Sequence, residues 1–226
     1  MKEKMPFQTL REFSLFQDLS EDDLIEIEKK LHRRIVTKDE ILLFEGEILQ
    51  KLIFVETGWF KSEKTSKEGR QQTLRFIGPI EVINEYAVFS EEPSKATIIA
   101  LENAKVFYLK KEDVESLLNR SPRFSRAVIS NLAKRIRHLI NHVENLSLLS
   151  VEQRLAQYLL EEEQAGLIIR QSWKTQAEIA AQLGTVVDVI NRSLQKFERR
   201  GIIEITREQF TILDEDRLRE IIDKSA

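Results

Sequence analysis

Val187, Asp188, Asn191 and Arg192 occupy positions i, i+1, i+4 and i+5, so a helix running through them gathers all four on one side. Their chemistry is that of nucleobase edges. An arginine fork matches guanine O6 and N7, asparagine pairs with adenine, a carboxylate accepts from cytosine N4, and valine meets a thymine methyl. Around them Thr175, Gln176, Thr185, Lys196 and Arg199 are the residue types that bind phosphate oxygens and position a protein on a duplex without reading it. From Arg170 through the Arg207-Glu208 turn there are seven basic residues against five acidic ones. That excess is modest but surrounds the same segment.

The elements that must carry these side chains follow from apolar spacing. Ile179, Ala180 and Leu183 give one helix a buried face, and Gly184 permits a tight turn. Ile190, Leu194 and Phe197 then give the next helix its own core side, opposite the four base-edge candidates. Thr175 with Glu178 three residues later has the spacing of a capping box that opens Gln176–Leu183. Ile202–Thr206 and Gln209–Leu213 about Arg207-Glu208 predict a hairpin wing. Upstream, Gly166–Trp173 reads as a short extended segment. Ser147, or Ser150 with Gln153, starts a helix through Leu160 and places a hinge at 147–150.

Before the hinge, Ser121-Pro122 opens a long helix in which Ile129, Leu132, Ile136, Leu139, Val143 and Leu146 recur at alternating steps of three and four. An apolar seam of this kind calls for a partner helix, and a homodimer through it is expected; packing on its own domain is the alternative. Helical signal also covers Lys111–Leu118 and, after Ser20 and Asp23, the segment to Leu31. Between Ile35 and Leu109 lie short β-rich runs at 41–44, 52–55, 73–77, 96–100 and 104–108, separated by Gly46, Gly58, Gly69 and Gly78-Pro79. The expected fold class is α+β: an antiparallel β-roll sensor domain over 1–120, a dimerisation helix and hinge over 121–149, and a winged helix-turn-helix over 150–226.

Composition removes other classes. The 226 residues carry 35 basic and 38 acidic side chains, a net charge of −3, and 42% hydrophobic residues. This is an ordinary soluble balance with no stretch suited to a membrane span or signal peptide, so a cytoplasmic location and no membrane partner are expected. With no cysteine there is no disulfide and no cysteine-ligated iron–sulfur cluster. His138 and His142, spaced i, i+4, could in principle hold a metal or haem, but His138 lies off the seam and His142 only flanks it, so solvated positions are expected and no metal site is assigned. No carboxylate pair, nucleophile set or phosphate-cradling glycine loop is visible, so no catalytic residue is assigned.

The chain resembles the CRP/FNR family of transcription regulators along nearly its whole length. The resemblance rests on Phe13-Ser-Leu-Phe-Gln-Asp-Leu-Ser20, Phe44-x-Glu-Gly-Glu47, the Gly58 turn, Leu146-Ser-Leu-Leu-Ser-Val-Glu-Gln-Arg-Leu-Ala156 and Thr175 to Arg192. It implies a homodimer on an inverted-repeat operator in double-stranded DNA, RNA polymerase as a protein partner, and a small-molecule effector of unidentified class. Val187-Asp188-x-x-Asn191-Arg192 is similar to the Glu-x-x-Ser-Arg reader of FNR-like members, with Asp for Glu and Asn for Ser. In the family's cyclic-AMP binders a Gly-Glu and an Arg-Ser pair clamp ribose and phosphate; here stand Asn84-Glu85 and Ser94-Lys95. The Thr-Ser pair that meets adenine falls on Leu139-Ile140. Cyclic AMP is therefore not expected, and Asn84, Glu85, Ser94, Lys95, Thr97, Leu139 and Ile140 are the candidate effector pocket. Two other readings remain: a ligand-binding module that acts through protein contacts without salt-dependent DNA affinity, and a cupin-like enzyme. The enzyme would need a histidine–carboxylate cluster on the strands, where His32 is the only histidine before residue 138.

Overall fold

Ser20 caps a helix as its sequence setting requires. Its hydroxyl accepts from the Asp23 amide at 3.2 Å, and Glu21, Asp22 and Asp23 put negative charge on the first turn. The computed structural model describes residues 5, 7–69, 71–164, 174–206 and 210–223. It divides into two units, Met1–Arg137 and His138–Ala226.

The first unit begins with α1 (Phe7–Glu12) and α2 (Glu21–Lys30) and continues through β1 (His32–Val36), β2 (Ile41–Leu43), β3 (Lys51–Thr57), β4 (Phe60–Thr65), β5 (Gln71–Ile77) and β6 (Val82–Ile83). Next come α3 (Glu85–Ser90), β7 (Thr97–Ala100), β8 (Ala104–Lys110), α4 (Lys111–Arg120) and α5 (Pro122–Leu148), the last of which runs on into the second unit. The strands form two antiparallel sheets, ordered β1-β8-β3-β6 and β2-β7-β4-β5, the expected β-roll. Inward Val55, Phe60, Ile77, Ile98, Ala100 and Val106 form one core. A second core joins Phe13, Phe16 and Leu19 to Phe54, Phe107 and Phe124. There Phe13 meets Phe54 edge-on at 5.4 Å and Phe16 stacks on Phe124 at 6.2 Å.

The five β-rich runs fall on β2, β3, β5, β7 and β8. β4 has no counterpart in the sequence reading because Lys61, Glu63 and Lys64 hide its alternation. A bulge between Ser62 and Glu63 breaks the period, and Lys61 is neutralised by Glu63 at 2.7 Å. The first turn of α5 is set by Ser121, whose hydroxyl accepts from the Phe124 amide at 3.4 Å, and by Pro122 at the first helical position. On this helix Phe124 and Val128 are buried, whereas Ile129, Ile136, Leu139, Val143 and Leu146 are exposed. Leu132 departs from that pattern: it is half-buried against the unit's own core.

The second unit continues with α6 (Val151–Gln164), α7 (Gln176–Gln182), α8 (Val187–Arg199), β9 (Ile203–Ile205), β10 (Phe210–Ile212) and α9 (Glu215–Asp223). The capping box is reciprocal: the Gln153 amide donates to Ser150 Oγ at 3.3 Å and the Ser150 amide to Gln153 Oε1 at 2.8 Å. Arg154 Nη1 donates to the Leu146 and Leu149 carbonyls at 3.2 and 3.1 Å, covering backbone oxygens freed where α5 stops. Leu155, Leu159, Ile179, Ile190, Leu194, Phe197 and Leu218 close the core. β9 and β10 pair antiparallel with Ile205 opposite Phe210, which is the stem of the wing. Its tip at 207–209 and the segment read as extended at 166–173 lie outside the described residues.

Gly58 joins β3 to β4 at φ +89°, and a Cβ built there would lie 2.5 Å from Ala104 Cβ and 2.9 Å from the Asn103 carbonyl oxygen. Both backbone strain and overlap oppose a side chain. Gly58→Ala should cost on the order of 2–4 kcal/mol, read as a lowered urea midpoint with the slope unchanged. A midpoint equal to that of the parent would overturn the argument.

Candidate nucleic-acid interface and sensor cluster

α7 and α8 meet at Gly184, whose φ of 66° turns the chain, and the Thr185 amide closes the turn on the Ala180 carbonyl at 2.9 Å. The N-terminus of α7 is held by Thr175, whose hydroxyl accepts from the Glu178 amide at 3.3 Å. Ile190, Ser193, Leu194 and Phe197 form the buried arc of α8. With 100° per residue, Asp188 and Arg192 stand opposite that arc, while Val187 and Asn191 flank it. This corrects the expectation that all four share the outer face. Val187, Asp188 and Arg192 are exposed, but Asn191 is half-buried, and its Oδ1 is enclosed with no protein partner among the described residues.

The outward side also holds two residues absent from the sequence expectation. Gln195 lies in line with Asp188 and Arg192 at i+7 and i+3, a spacing that extending the periodicity one turn further finds. Val186, which precedes the helix, is 60% exposed beside Val187. Arg192 Nε donates to the Asp188 carbonyl and Arg199 Nε to the Gln195 carbonyl, each at 3.3 Å. These bonds lay both stems along the helix and leave the terminal amines of the forks facing solvent. Asp188 has a second duty, since it supplies the acidic charge in the first turn of α8.

The phosphate candidates divide. Gln176 and Thr185 are half-buried and Thr175 and Arg199 exposed. The Lys196 ammonium is taken by the Glu152 carboxylate of α6, with both oxygens at 2.6 and 2.7 Å.

In the β-roll unit the candidate pocket residues mostly spend their polar groups on the backbone. Asn84, at φ 74°, donates through Nδ2 to the Leu49 and Lys51 carbonyls at 2.7 and 2.9 Å. Ser94 donates to the Ala96 carbonyl at 2.7 Å, and Thr97 Oγ1 accepts from the Glu45 amide at 3.2 Å. Lys95 is exposed, 3.9 Å from Glu92. Leu139 and Ile140 are exposed on α5.

Glu85 differs. It is 3% exposed, lies 2.5 Å from Arg135 Nη2 and accepts from Asn131 Nδ2 at 3.1 Å. Arg135 Nη2 and Arg75 Nη2 both donate to the Val82 carbonyl, at 2.7 and 3.0 Å. Burial pushes the Glu85 carboxyl above its usual range, with the Arg135 and Arg75 charges pulling the other way. Thr73, on the same face of β5 as Arg75, has a buried hydroxyl with no partner among the described residues, and the same is true of Arg135 Nε. Arg75, Asn131 and Arg135 escaped the sequence reading because no local motif links them to Glu85. Among the described residues no group of three histidine, cysteine, aspartate or glutamate side chains could hold a metal, and no helix is long and apolar enough to cross a membrane.

Residues 33–121 match the family model of the cyclic nucleotide-binding domain, and residues 153–221 that of the Crp-like helix-turn-helix domain. The chain is 23% identical over 217 residues to the CRP-like cAMP-activated global transcriptional regulator of Mycobacterium tuberculosis, covering 93% of this chain and 97% of that protein. It is 26% identical over 195 residues to the cyclic AMP receptor protein of Thermus thermophilus, covering 84% and 88%. Among solved structures FixK2 from Bradyrhizobium japonicum superimposes with a TM-score of 0.75 at 22% identity, over 87% of this chain and 99% of that one. A β-roll that matches the cyclic nucleotide-binding domain model, followed in one chain by a segment that matches the Crp-like helix-turn-helix model, makes this protein a member of the CRP/FNR family of transcription regulators.

Proposed function

We propose that this regulator acts in the cytoplasm as a homodimer on an inverted-repeat operator, with α8 as the reading helix, and that an effector other than cyclic AMP sets its activity from the β-roll. The observation that carries the DNA reading is the exposed outward row Asp188, Arg192, Gln195 and Arg199 on a helix whose other side is used by its core. Support for the homodimer is the exposed apolar row from Ile129 to Leu146, which pairing with a second copy removes from water. RNA polymerase is the protein partner that family membership suggests.

Two relatives have cyclic AMP in their names, but this chain lacks an arginine at 94–95, and apolar Leu139 and Ile140 stand where the family's base-binding hydroxyls would be. The Thr73 hydroxyl and Arg135 Nε, both buried without a partner among the described residues, favour a different polar ligand. Calorimetric titration with cyclic AMP should show no micromolar binding; such binding would overturn this part of the reading.

In vitro selection of bound duplexes should return an inverted repeat with half-sites about one helical turn apart. Arg192→Ala should lose about 1–3 kcal/mol per half-site and relax preference at one base pair only. Joint replacement of Ile136 and Leu139 by Glu should leave a monomer by sedimentation, with half-site binding alone. A uniform loss for Arg192→Ala would make it a positioning contact, and a dimeric double variant would remove the seam.

Lys196 is proposed to reach phosphate only by leaving Glu152. Glu152→Gln should then strengthen binding to every duplex by roughly two- to fivefold and steepen the salt dependence by about one phosphate contact. Lys196→Ala should weaken all sequences alike. Unchanged affinity and salt slope in both variants would show that the pair only braces α6 against α8.

A further inference from the structure

A groove of about 620 Å³ opens in the first unit between the segment bearing Ser14, Gln17 and Asp18 and the first turns of α5. Arg123, Arg126 and Lys134 line it against a single carboxylate, Asp18. Arg123 Nη1 reaches the Asp18 backbone carbonyl at 3.4 Å. Arg126 and Lys134 are exposed, and neither has an ion-pair or hydrogen-bond partner among the described residues. In the same unit Lys30, Arg34, Lys64, Lys111, Arg120 and Arg135 are all paired with carboxylates. α5 also has no acidic residue in its first turn, unlike α2 and α4, and Arg123 stands there instead, where the helix dipole favours an anion.

We propose that this groove binds a small molecule of the nucleoside di- or triphosphate kind, at a site distinct from the β-roll interior. Its volume lies within the roughly 300–1,000 Å³ of small-ligand sites. Arg126 and Lys134 are eight residues apart, about 12 Å along the helix axis at 1.5 Å per residue, a spacing that a ligand longer than a single phosphate bridges without drawing the two side chains together. Arg123 and Arg126 receive the phosphates as forks, and Ser130 and Asn131 offer neutral polar groups between them and Lys134. Residues 123, 130 and 134 lie on the side of α5 away from the Ile129, Leu132 and Ile136 row, while Arg126 stands about 60° from Ile129 and flanks that row, so pairing of the row leaves most of the groove open. Asn131 lines the groove and also donates to Glu85, so an occupant touches a side chain of the buried cluster.

The test is calorimetric titration of the full chain, at low ionic strength without divalent cations, with ATP, pyrophosphate and inorganic phosphate. ATP and pyrophosphate should bind, and inorganic phosphate should bind at least tenfold more weakly. The exposed pair Arg126→Gln with Lys134→Gln should weaken ATP by about tenfold or more with an unchanged unfolding midpoint, whereas Lys95→Ala on the β-roll should have no effect. The proposal is overturned if ATP and pyrophosphate do not bind at millimolar concentration, if the double variant binds like the parent, or if Lys95→Ala abolishes binding. It is also overturned if the double variant loses affinity only for duplex DNA, which would make the groove a nucleic-acid surface.

Discussion

One backbone carbonyl fixes the first unit. The Val82 oxygen on β6 takes Arg75 from β5 and Arg135 from α5, and Arg135 in turn holds Glu85 at the start of α3. The buried Glu85 carboxylate is costly to bring out of water unless it is paired, and the half-buried Arg75 and Arg135 offset that cost only when all the partners arrive together. The aromatic cluster of Phe13, Phe16, Phe54 and Phe124 buries the start of α5 against the first unit, but an apolar contact tolerates sliding and rotation. The guanidinium on Val82 does not. It sets the rotation of the helix, and that rotation turns Ile129 and Ile136 outward.

The reading unit solves a different problem, which is to keep charged forks outside while its core closes. α8 does so with a narrow buried arc, Ile190, Ser193, Leu194 and Phe197, packed with α6 and α7 residues. Arg192 and Arg199 each tether Nε to the carbonyl one turn back, which restricts the long side chains before any partner is met. Ordering a free arginine costs up to about 2 kcal/mol of rotamer entropy, so a stem already laid along the helix wastes less of a contact made by its terminal amines.

Much of this was legible because it depends on local spacing. The capping box at Ser150, the N-cap at Thr175, the proline start of α5 and the core face of α8 are each set within about two turns of helix. Five strands were legible from β-rich runs between turn residues. What escaped depends on side chains that meet from distant positions: Arg75, Glu85, Asn131 and Arg135 span 60 positions and three elements, and Lys196 meets Glu152 across 44. Asn191 was misplaced for a subtler reason. Spacing i, i+4 from Val187 puts the two side by side, but both flank the buried arc, and a wheel drawn from Ile190 rather than from the polar residues separates them from Asp188 and Arg192.

The net charge of −3 misleads about nucleic acid because so many acids are committed within the fold. Glu112 and Asp113 sit at the start of α4, Glu152 at that of α6, Glu178 at that of α7 and Asp188 at that of α8, each answering a helix dipole. Two of these also bear on the proposed reading. Glu152 holds Lys196, and Asp188 puts negative charge on the exposed face of α8, so on that reading both would lower affinity for DNA of any sequence by electrostatics alone. Such a face recovers binding only where a base edge repays the repulsion, as a cytosine amino group does for a carboxylate. A reader built this way discriminates by penalising the wrong site as well as by holding the right one, at the expense of absolute affinity.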